Sequence, residues 1–182
     1  MFRKLLAVTV VALSGGVVGA ADLKSGPQVG AKVPGPFHPL NVNGKDAGKK
    51  ACLYCENLYN PVAAVFARDP ADPALLKLIA ALDAVTAKNE AAEMGSFVVY
   101  LSADDTLAAK LKEQADKAGY KKIVLSVDTA DGPAKYDIAK DAAVTVLLYK
   151  ELKVVANFTF EKGKLTEQDV AKIVADVSKI TK

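Results

Sequence analysis

The sequence is poor in the residue types that most catalytic sites need. It has one histidine, His38, and only two cysteines, Cys52 and Cys55. A single histidine beside Pro39 gives no basis for a nucleophile–histidine–acid set. No glycine-rich phosphate-binding loop is present either. These absences leave the two cysteines as the main candidates for chemistry.

The sequence also has no block of basic residues. Its 24 basic and 21 acidic residues are interspersed, and the formal net charge is +3. Because proteins that bind nucleic acid need a basic patch or stripe, nucleic-acid binding is not expected. The apolar content of 51%, without any low-complexity run, instead predicts a folded domain.

The first twenty residues have the pattern of a secretory signal peptide. Arg3 and Lys4 precede a nearly uninterrupted apolar run over Leu5 to Leu13, and small residues follow it. We expect residues 1–20 to be removed by cleavage after Ala20. The mature chain would then hold 22 basic and 21 acidic residues, a net charge of +1.

A membrane anchor is the alternative interpretation of the same segment. The uncharged stretch contains paired glycines and is shorter than the roughly 20 apolar residues of a spanning helix, so an anchor is disfavoured. No cysteine lies near the cleavage point, which argues against a lipid anchor. The expected location of the protein is therefore the periplasm or the extracellular space, without a stable membrane anchor.

The remaining chain divides by composition into an extension and a core. Residues 21–60 are rich in glycine and proline and are expected to form loops, with a hairpin around Asn41–Gly44 and the Cys-x-x-Cys sequence. Residues 61–182 contain the regular apolar patterns of the core. Extension and core are expected to form one domain.

The core has five short apolar runs typical of buried strands. They are Val62–Ala67, Ser96–Ser102, Ile123–Val127, Ala143–Tyr149 and Val154–Phe160. Helical patterns separate the first three runs, which predicts parallel pairing with crossover helices. The last two runs are predicted to form an antiparallel hairpin at the sheet edge.

Helix boundaries are indicated by capping residues. Asp72 before Pro73 is predicted to cap the first long helix. Asp104 or Asp105 is predicted to cap a second helix that Gly119 ends. Thr166 with Asp169 predicts a capping box for the last helix, and a short helical turn is predicted from Gly132 to about Ile138.

Three short motifs carry a resemblance to a known fold. They are the opening Gly30–Phe37, the strand end Phe66-Ala67-Arg68, and the strand Val144–Tyr149 with the Lys153-Val154-Val155 that follows. Together with the element order they resemble the thioredoxin fold, in the redoxin branch of peroxiredoxins and TlpA-like proteins. The resemblance extends from Val29 to Ile180. It implies an α/β domain whose central mixed sheet of about five strands is flanked by helices.

The resemblance also implies where a redox site would lie, and the sequence departs from it there. In the family, the redox cysteines follow the first core strand, but here that place reads Arg68-Asp69-Pro70-Ala71-Asp72. The fold usually carries a cis-proline before the hairpin strand, where this chain has Val144. Both features of the usual site are expected to be missing.

The Cys52–Cys55 pair is thus displaced, and three roles are open for it. It is a candidate for thiol–disulfide exchange with a protein partner, for a structural disulfide, or for half of a metal site with His38 and Glu56. For exchange, we expect the more exposed cysteine to attack and the other to resolve the mixed disulfide. We assign the attacking role to Cys52. No cofactor is predicted, no metal ligands are assigned, and the sequence does not indicate an oligomeric state.

The surroundings of the pair give opposing indications about reactivity. Any helix that begins at Cys52 has to end before Pro61, so at most about two turns can support a thiolate. Glu56 would oppose thiolate formation, whereas Lys49 and Lys50 would favour it. The alternative function is a non-enzymatic binding or assembly module in which the disulfide is structural.

Overall fold

The computed structural model describes residues 23–182. The predicted signal peptide, residues 1–20, lies outside the described residues. The strands are β1 (Leu40–Asn41), β2 (Val62–Ala67), β3 (Gly95–Leu101), β4 (Ile123–Asp128), β5 (Val144–Lys150) and β6 (Lys153–Phe160). The α-helices are α1 (Leu53–Asn57), α2 (Pro73–Lys88), α3 (Leu107–Ala118), α4 (Glu167–Asp176) and α5 (Ser178–Thr181), and a short 3₁₀ turn covers Glu90–Ala92.

All six strands belong to one mixed sheet with the order β1-β4-β3-β2-β5-β6. The strands β2, β3 and β4 are parallel, whereas β5 is antiparallel to β2 and β6 is antiparallel to β5. The predicted parallel unit and edge hairpin are therefore confirmed. The additional strand β1 pairs Leu40 with Val127 and Asn41 with Ser126. The hairpin predicted around Asn41–Gly44 is present, since Leu40 forms an antiparallel bridge with Lys50, but the pairing of this segment with β4 as a sixth strand was not predicted.

The two faces of the sheet are covered differently. Since side chains alternate along a strand, Ala63 and Val65 face one side, and Val62 and Ala64 face the other. The first side packs against α2, α3 and α4, in a cluster that includes Leu78, Leu111 and Ile173. The second side packs against α1 and the N-terminal extension, in a cluster that includes Phe37, Leu53, Phe66, Phe97, Tyr136 and Tyr149.

Most helix boundaries follow the predicted caps. The Asp72 carboxylate accepts hydrogen bonds from the backbone N–H groups of Ala74 and Leu75 at 2.8 and 3.1 Å. Thr166 and Asp169 form the predicted capping box. Gly119 ends α3 with a φ of 66°, a backbone conformation that glycine adopts without strain.

Two predicted helical features are wrong. Neither Asp104 nor Asp105 caps α3, because Asp104 instead accepts hydrogen bonds from the backbone N–H and hydroxyl of Thr106, at 2.9 and 2.6 Å, one turn ahead of the helix. Thr106 is the residue that precedes the helix. The segment after Gly132 forms turns and no helix, since Lys135 and Asp137 have φ values of 73° and 51°. Such left-handed residues interrupt a right-handed helix.

Within residues 23–182, no helix has both the length and the apolar character needed to cross a membrane.

Candidate functional site

The two cysteines lie at the start of α1 and form a disulfide with each other. Their Cα atoms are 5.2 Å apart, within the usual range for a disulfide. Cys52 is the residue before the helix, and its Sγ accepts a hydrogen bond from the backbone N–H of Cys55 at 3.0 Å. The sequence allowed a helix here only if it ended before Pro61, and the observed five-residue helix ends at Asn57, within that bound.

The inner side of α1 is anchored to the second face of the sheet. Leu53 is only 1% exposed, and Tyr54 packs partly buried against the same cluster. At the end of the helix, the Asn57 side-chain amide donates a hydrogen bond to the Leu53 carbonyl at 2.7 Å. Asn57 also packs directly on Gly95 at the start of β3, where a Cβ atom would overlap its amide group. The disulfide is therefore held on a fixed base.

The outer side of the same helix is open to solvent. Cys55 is exposed and Cys52 is half-buried. The residues that follow the helix, Leu58 and Tyr59, are 48% and 66% exposed, which is unusual for large apolar side chains in this protein. Cys55, and not Cys52 as expected from the sequence, is the more exposed cysteine of the pair.

Of the two tyrosines near the cysteines, Tyr54 faces inward and Tyr59 outward. Below Tyr54 lie Tyr136 and Tyr149, and burial raises the pKa of both phenols well above its usual range. Tyrosines are uncharged at neutral pH in any case, and burial keeps these two uncharged at higher pH as well. The Tyr136 hydroxyl donates a hydrogen bond to the Gly35 carbonyl at 2.8 Å. The disulfide helix thus rests on a neutral, mainly aromatic surface.

The charges near the pair lie on the surface and largely balance each other. The Glu56 carboxylate lies 3.4 Å from the Lys45 ammonium. Partial burial raises the pKa of Glu56, a hydrogen bond with Asp46 adds to this effect, and Lys45 opposes it. Lys49 and Lys50, which were expected to favour a thiolate, are exposed. Among the described residues, the ion pair at this helix is that of Glu56 with Lys45, and the hydrogen bond to a cysteine sulfur comes from a backbone N–H and not from a lysine.

Within the described part of the chain, no set of metal ligands surrounds the cysteines. Both sulfur atoms are used in the disulfide, and Glu56 is paired with Lys45. His38 is exposed and lines a separate cavity of about 440 Å³, together with Ser102 and Asp128. Across residues 23–182, no three histidine, cysteine, aspartate or glutamate side chains are placed to hold a metal ion together.

At the carboxyl end of β2, a charged side chain contacts backbone carbonyl groups. Arg68 follows the strand directly, and its guanidinium donates hydrogen bonds to the carbonyls of Ala130, Ala139 and Ala142, at 2.7, 3.3 and 3.1 Å. Its backbone N–H also donates to the Ala143 carbonyl at 3.0 Å. Arg68 thereby fastens the loop between β4 and β5 to the centre of the sheet.

The remaining residues of this segment lead into α2. Asp69 accepts a hydrogen bond from the Ala71 backbone N–H at 2.9 Å, and Asp72 caps the helix. Val144 begins β5 and pairs with Ala67, the last residue of β2. The cap at Asp72 was predictable from the sequence, whereas the role of Arg68 was not. The one available signal was an arginine placed immediately after a fully apolar strand.

No family model matches the sequence, and no curated protein is significantly similar to it. Solved structures, in contrast, match well. A candidate protein disulfide isomerase of Bacteroides thetaiotaomicron is similar with a TM-score of 0.65 at 15% identity, over 87% of this chain and 94% of that one. A 2-Cys peroxiredoxin of Plasmodium vivax is similar with a TM-score of 0.61 at 16% identity, over 84% and 98%.

A thiol peroxidase of Chromobacterium violaceum is similar to the same extent, with a TM-score of 0.61 at 11% identity, over 84% of this chain and 87% of that one. At these identities the similarity concerns the fold, and function has to be argued from the site. The shared fold agrees with the six-stranded mixed sheet and its flanking helices. The chain therefore has a thioredoxin-like fold, of the kind found in peroxiredoxins.

Proposed function

We propose that this protein is an exported thioredoxin-fold protein that exchanges disulfides with protein thiols through Cys52 and Cys55. The observation that carries the proposal is the exposure of Cys55 in a disulfide on helix α1, which is fixed to the core. Thiol–disulfide exchange proceeds by attack of a thiolate on an accessible sulfur, so exposure is its first requirement.

Two further features support exchange over a purely structural role. The bonded cysteines are only three positions apart, and a loop this short gains little stability from being closed. In addition, the hydrogen bond from the Cys55 N–H to the Cys52 sulfur would stabilise a Cys52 thiolate after reduction. Exposed Leu58 and Tyr59 beside the pair offer an apolar contact for a partner protein.

The expected reactivity is lower than that of a typical thioredoxin. The helix behind the cysteines has five residues, and neighbouring Glu56 carries a negative charge that is paired with Lys45. Reactive cysteines owe their low pKa to nearby positive charge and to longer helices. Here the nearby positive charge is balanced and the helix is short.

The alternative function is a non-enzymatic binding or assembly module with a structural disulfide. Its support is the carboxyl end of β2, the place where redoxins usually hold their cysteines. Here that place holds Arg68 and its three carbonyl partners. The buried Leu53 and the contact between Asn57 and Gly95 are also compatible with a disulfide that only fixes the extension.

A catalysed oxidation assay tests the proposal. Substoichiometric oxidised protein is added to a reduced peptide with two thiols in a glutathione buffer, and disulfide formation is followed by mass spectrometry. We expect acceleration by the wild type and none by the double variant Cys52→Ser, Cys55→Ser. If wild type and double variant give equal rates, the module without redox activity is the better description.

Export has its own test. The charged start and apolar run of the first twenty residues support it, as does the persistence of disulfides in oxidising compartments. The intact mass of protein from the exported fraction of its native host is expected to correspond to a chain that begins near Ala21 or Asp22. A full-length chain recovered in the membrane fraction would contradict export by cleavage.

A further inference from the structure

The two sulfur atoms of the disulfide are not equivalent. Cys55 is exposed, whereas Cys52 is half-buried and its sulfur accepts a backbone hydrogen bond. We infer that an incoming thiolate attacks the sulfur of Cys55 and that Cys52 is the sulfur released. This inference rests on the proposed exchange function and specifies which mixed disulfide that function passes through.

Access favours attack at Cys55. An attacking sulfur approaches in line with the bond that breaks, so the attacked sulfur needs open space on the side away from its partner. Cys55 lies on the outer side of α1, close in sequence to exposed Leu58 and Tyr59. Cys52 is half-buried and lies in the chain between buried Leu53 and Ala51, whose N–H donates to the Pro39 carbonyl at 3.2 Å.

The leaving group also favours this direction. Exchange is faster when the released thiolate is the better stabilised of the two. A Cys52 thiolate keeps the hydrogen bond from the Cys55 N–H, which is 3.0 Å long in the disulfide form. A Cys55 thiolate would have no such donor in the described structure and would lie next to Glu56 in the chain.

The reaction then balances in two steps. In the first, a partner thiolate forms a sulfur–sulfur bond to Cys55, the Cys52–Cys55 bond breaks, and its electron pair remains on Cys52. In the second, another partner thiolate attacks the partner sulfur of this mixed disulfide and releases Cys55. Two thiols become one disulfide, and the two electrons reduce the cysteine pair.

In the reverse direction, the thiolate of Cys55 attacks a partner disulfide and Cys52 resolves the mixed disulfide. The assignment is therefore the opposite of the expectation that Cys52 attacks.

Trapping the first mixed disulfide tests the assignment. The oxidised, folded protein is mixed with reduced glutathione, and samples are quenched with acid at successive short times. The free thiols in each sample are then blocked with a maleimide at low pH. Trypsin releases one peptide that holds both cysteines, because Lys50 and Arg68 flank it. Fragment ions that separate Cys52 from Cys55 then show which sulfur carries glutathione.

At the earliest times, we expect the species with glutathione on Cys55 and maleimide on Cys52 to exceed the reverse species at least about fivefold. Access and leaving group both predict this excess. Glutathione on Cys52 in equal or greater amount would overturn the assignment while leaving exchange itself in place. If no adduct forms and the disulfide persists, both the assignment and the proposed function are wrong.

The single variants Cys55→Ser and Cys52→Ser give a second measurement of the leaving group. The pH at which alkylation reaches half its maximal rate is expected to be lower for Cys52 in the first variant than for Cys55 in the second. Circular dichroism confirms that both remain folded, and if either unfolds, the glutathione mapping decides alone. Equal or reversed midpoints in folded variants would contradict the assigned leaving group.

Discussion

The two ends of β2 differ in what the protein has built beside them. At the amino end, α1 holds a disulfide whose Cys55 is exposed, and Asn57 of that helix packs on the first residue of the neighbouring strand β3. At the carboxyl end, Arg68 donates to three loop carbonyls and no sulfur is present in the segment that leads to α2. The fold supports both arrangements from one central strand.

The difference separates a candidate site from a structural connection. Three of the five N–H donors of the Arg68 guanidinium bind backbone carbonyls, so the group holds the loop between β4 and β5 in place. The cysteine pair is fixed on its inner side only, and its outer side is left open. An accessible reactive group on a rigid base is what a functional site requires.

The largest expected effect concerns the strand that both regions share. Val65 is fully buried in β2, so Val65→Asp places an unpaired charge inside the sheet. We expect a loss of more than about 4 kcal/mol in the free energy of unfolding, enough to unfold a domain of ordinary stability. Far-UV circular dichroism and thermal unfolding are the measurements. The matched control is Val29→Asp, since Val29 is 63% exposed. Equal behaviour of the two variants would mean that β2 is misplaced.

The next effect separates the two ends of β2. Arg68→Ala removes a charged donor from three carbonyls, which should cost about 2–3 kcal/mol of stability in urea unfolding. The rate of exchange with glutathione at the cysteine pair should stay unchanged, because the disulfide is anchored elsewhere. Lys140→Ala is the control, since this exposed lysine pairs only with exposed Asp131 and should cost less than about 0.5 kcal/mol. A change in exchange rate in Arg68→Ala would contradict the independence of the two regions.

A smaller effect tests the base of the disulfide helix. Gly95→Ala introduces a methyl group where the Asn57 amide lies, and overpacking of this kind costs about 1–3 kcal/mol. We also expect a changed exchange rate, because α1 has to shift. The double variant Gly95→Ala, Asn57→Ala removes the overlap, so it should recover part of the lost stability and part of the change in exchange rate. Unfolding and alkylation kinetics are the measurements. Strict additivity would indicate that this contact does not position the cysteines.

The sequence patterns predicted the frame better than the site. The apolar runs of β2 and β3 and the cap at Asp72 depend on neighbouring residues, so they were predictable. The role of Arg68 depends on carbonyls more than 60 positions away, which the loop brings to the strand end. The exposure of Cys55 follows from the way Leu53 and Asn57 orient a five-residue helix. No local pattern contains that orientation.

The smallest effect lies apart from both regions and provides a baseline. Hydrogen bonds from the Thr106 hydroxyl and backbone N–H, with help from Lys110, lower the pKa of Asp104 to about 2. The ionised carboxylate therefore stabilises the folded state above about pH 4, and this contribution is lost as the pH falls towards 2. Asp104→Asn should unfold with a shallower pH dependence over this range and with unchanged cysteine reactivity. An unchanged acid profile would contradict the lowered pKa.

The central claim is that the Cys52–Cys55 disulfide is exchangeable, and its reduction potential tests that most directly. Oxidised protein is equilibrated in glutathione and dithiothreitol buffers, and the thiols are counted by alkylation and mass spectrometry. We predict a reversible two-thiol transition at a potential above about −300 mV, with slower exchange than a typical thioredoxin. Reduction only below about −300 mV, together with a large loss of stability in Cys52→Ser, would show that the disulfide is structural.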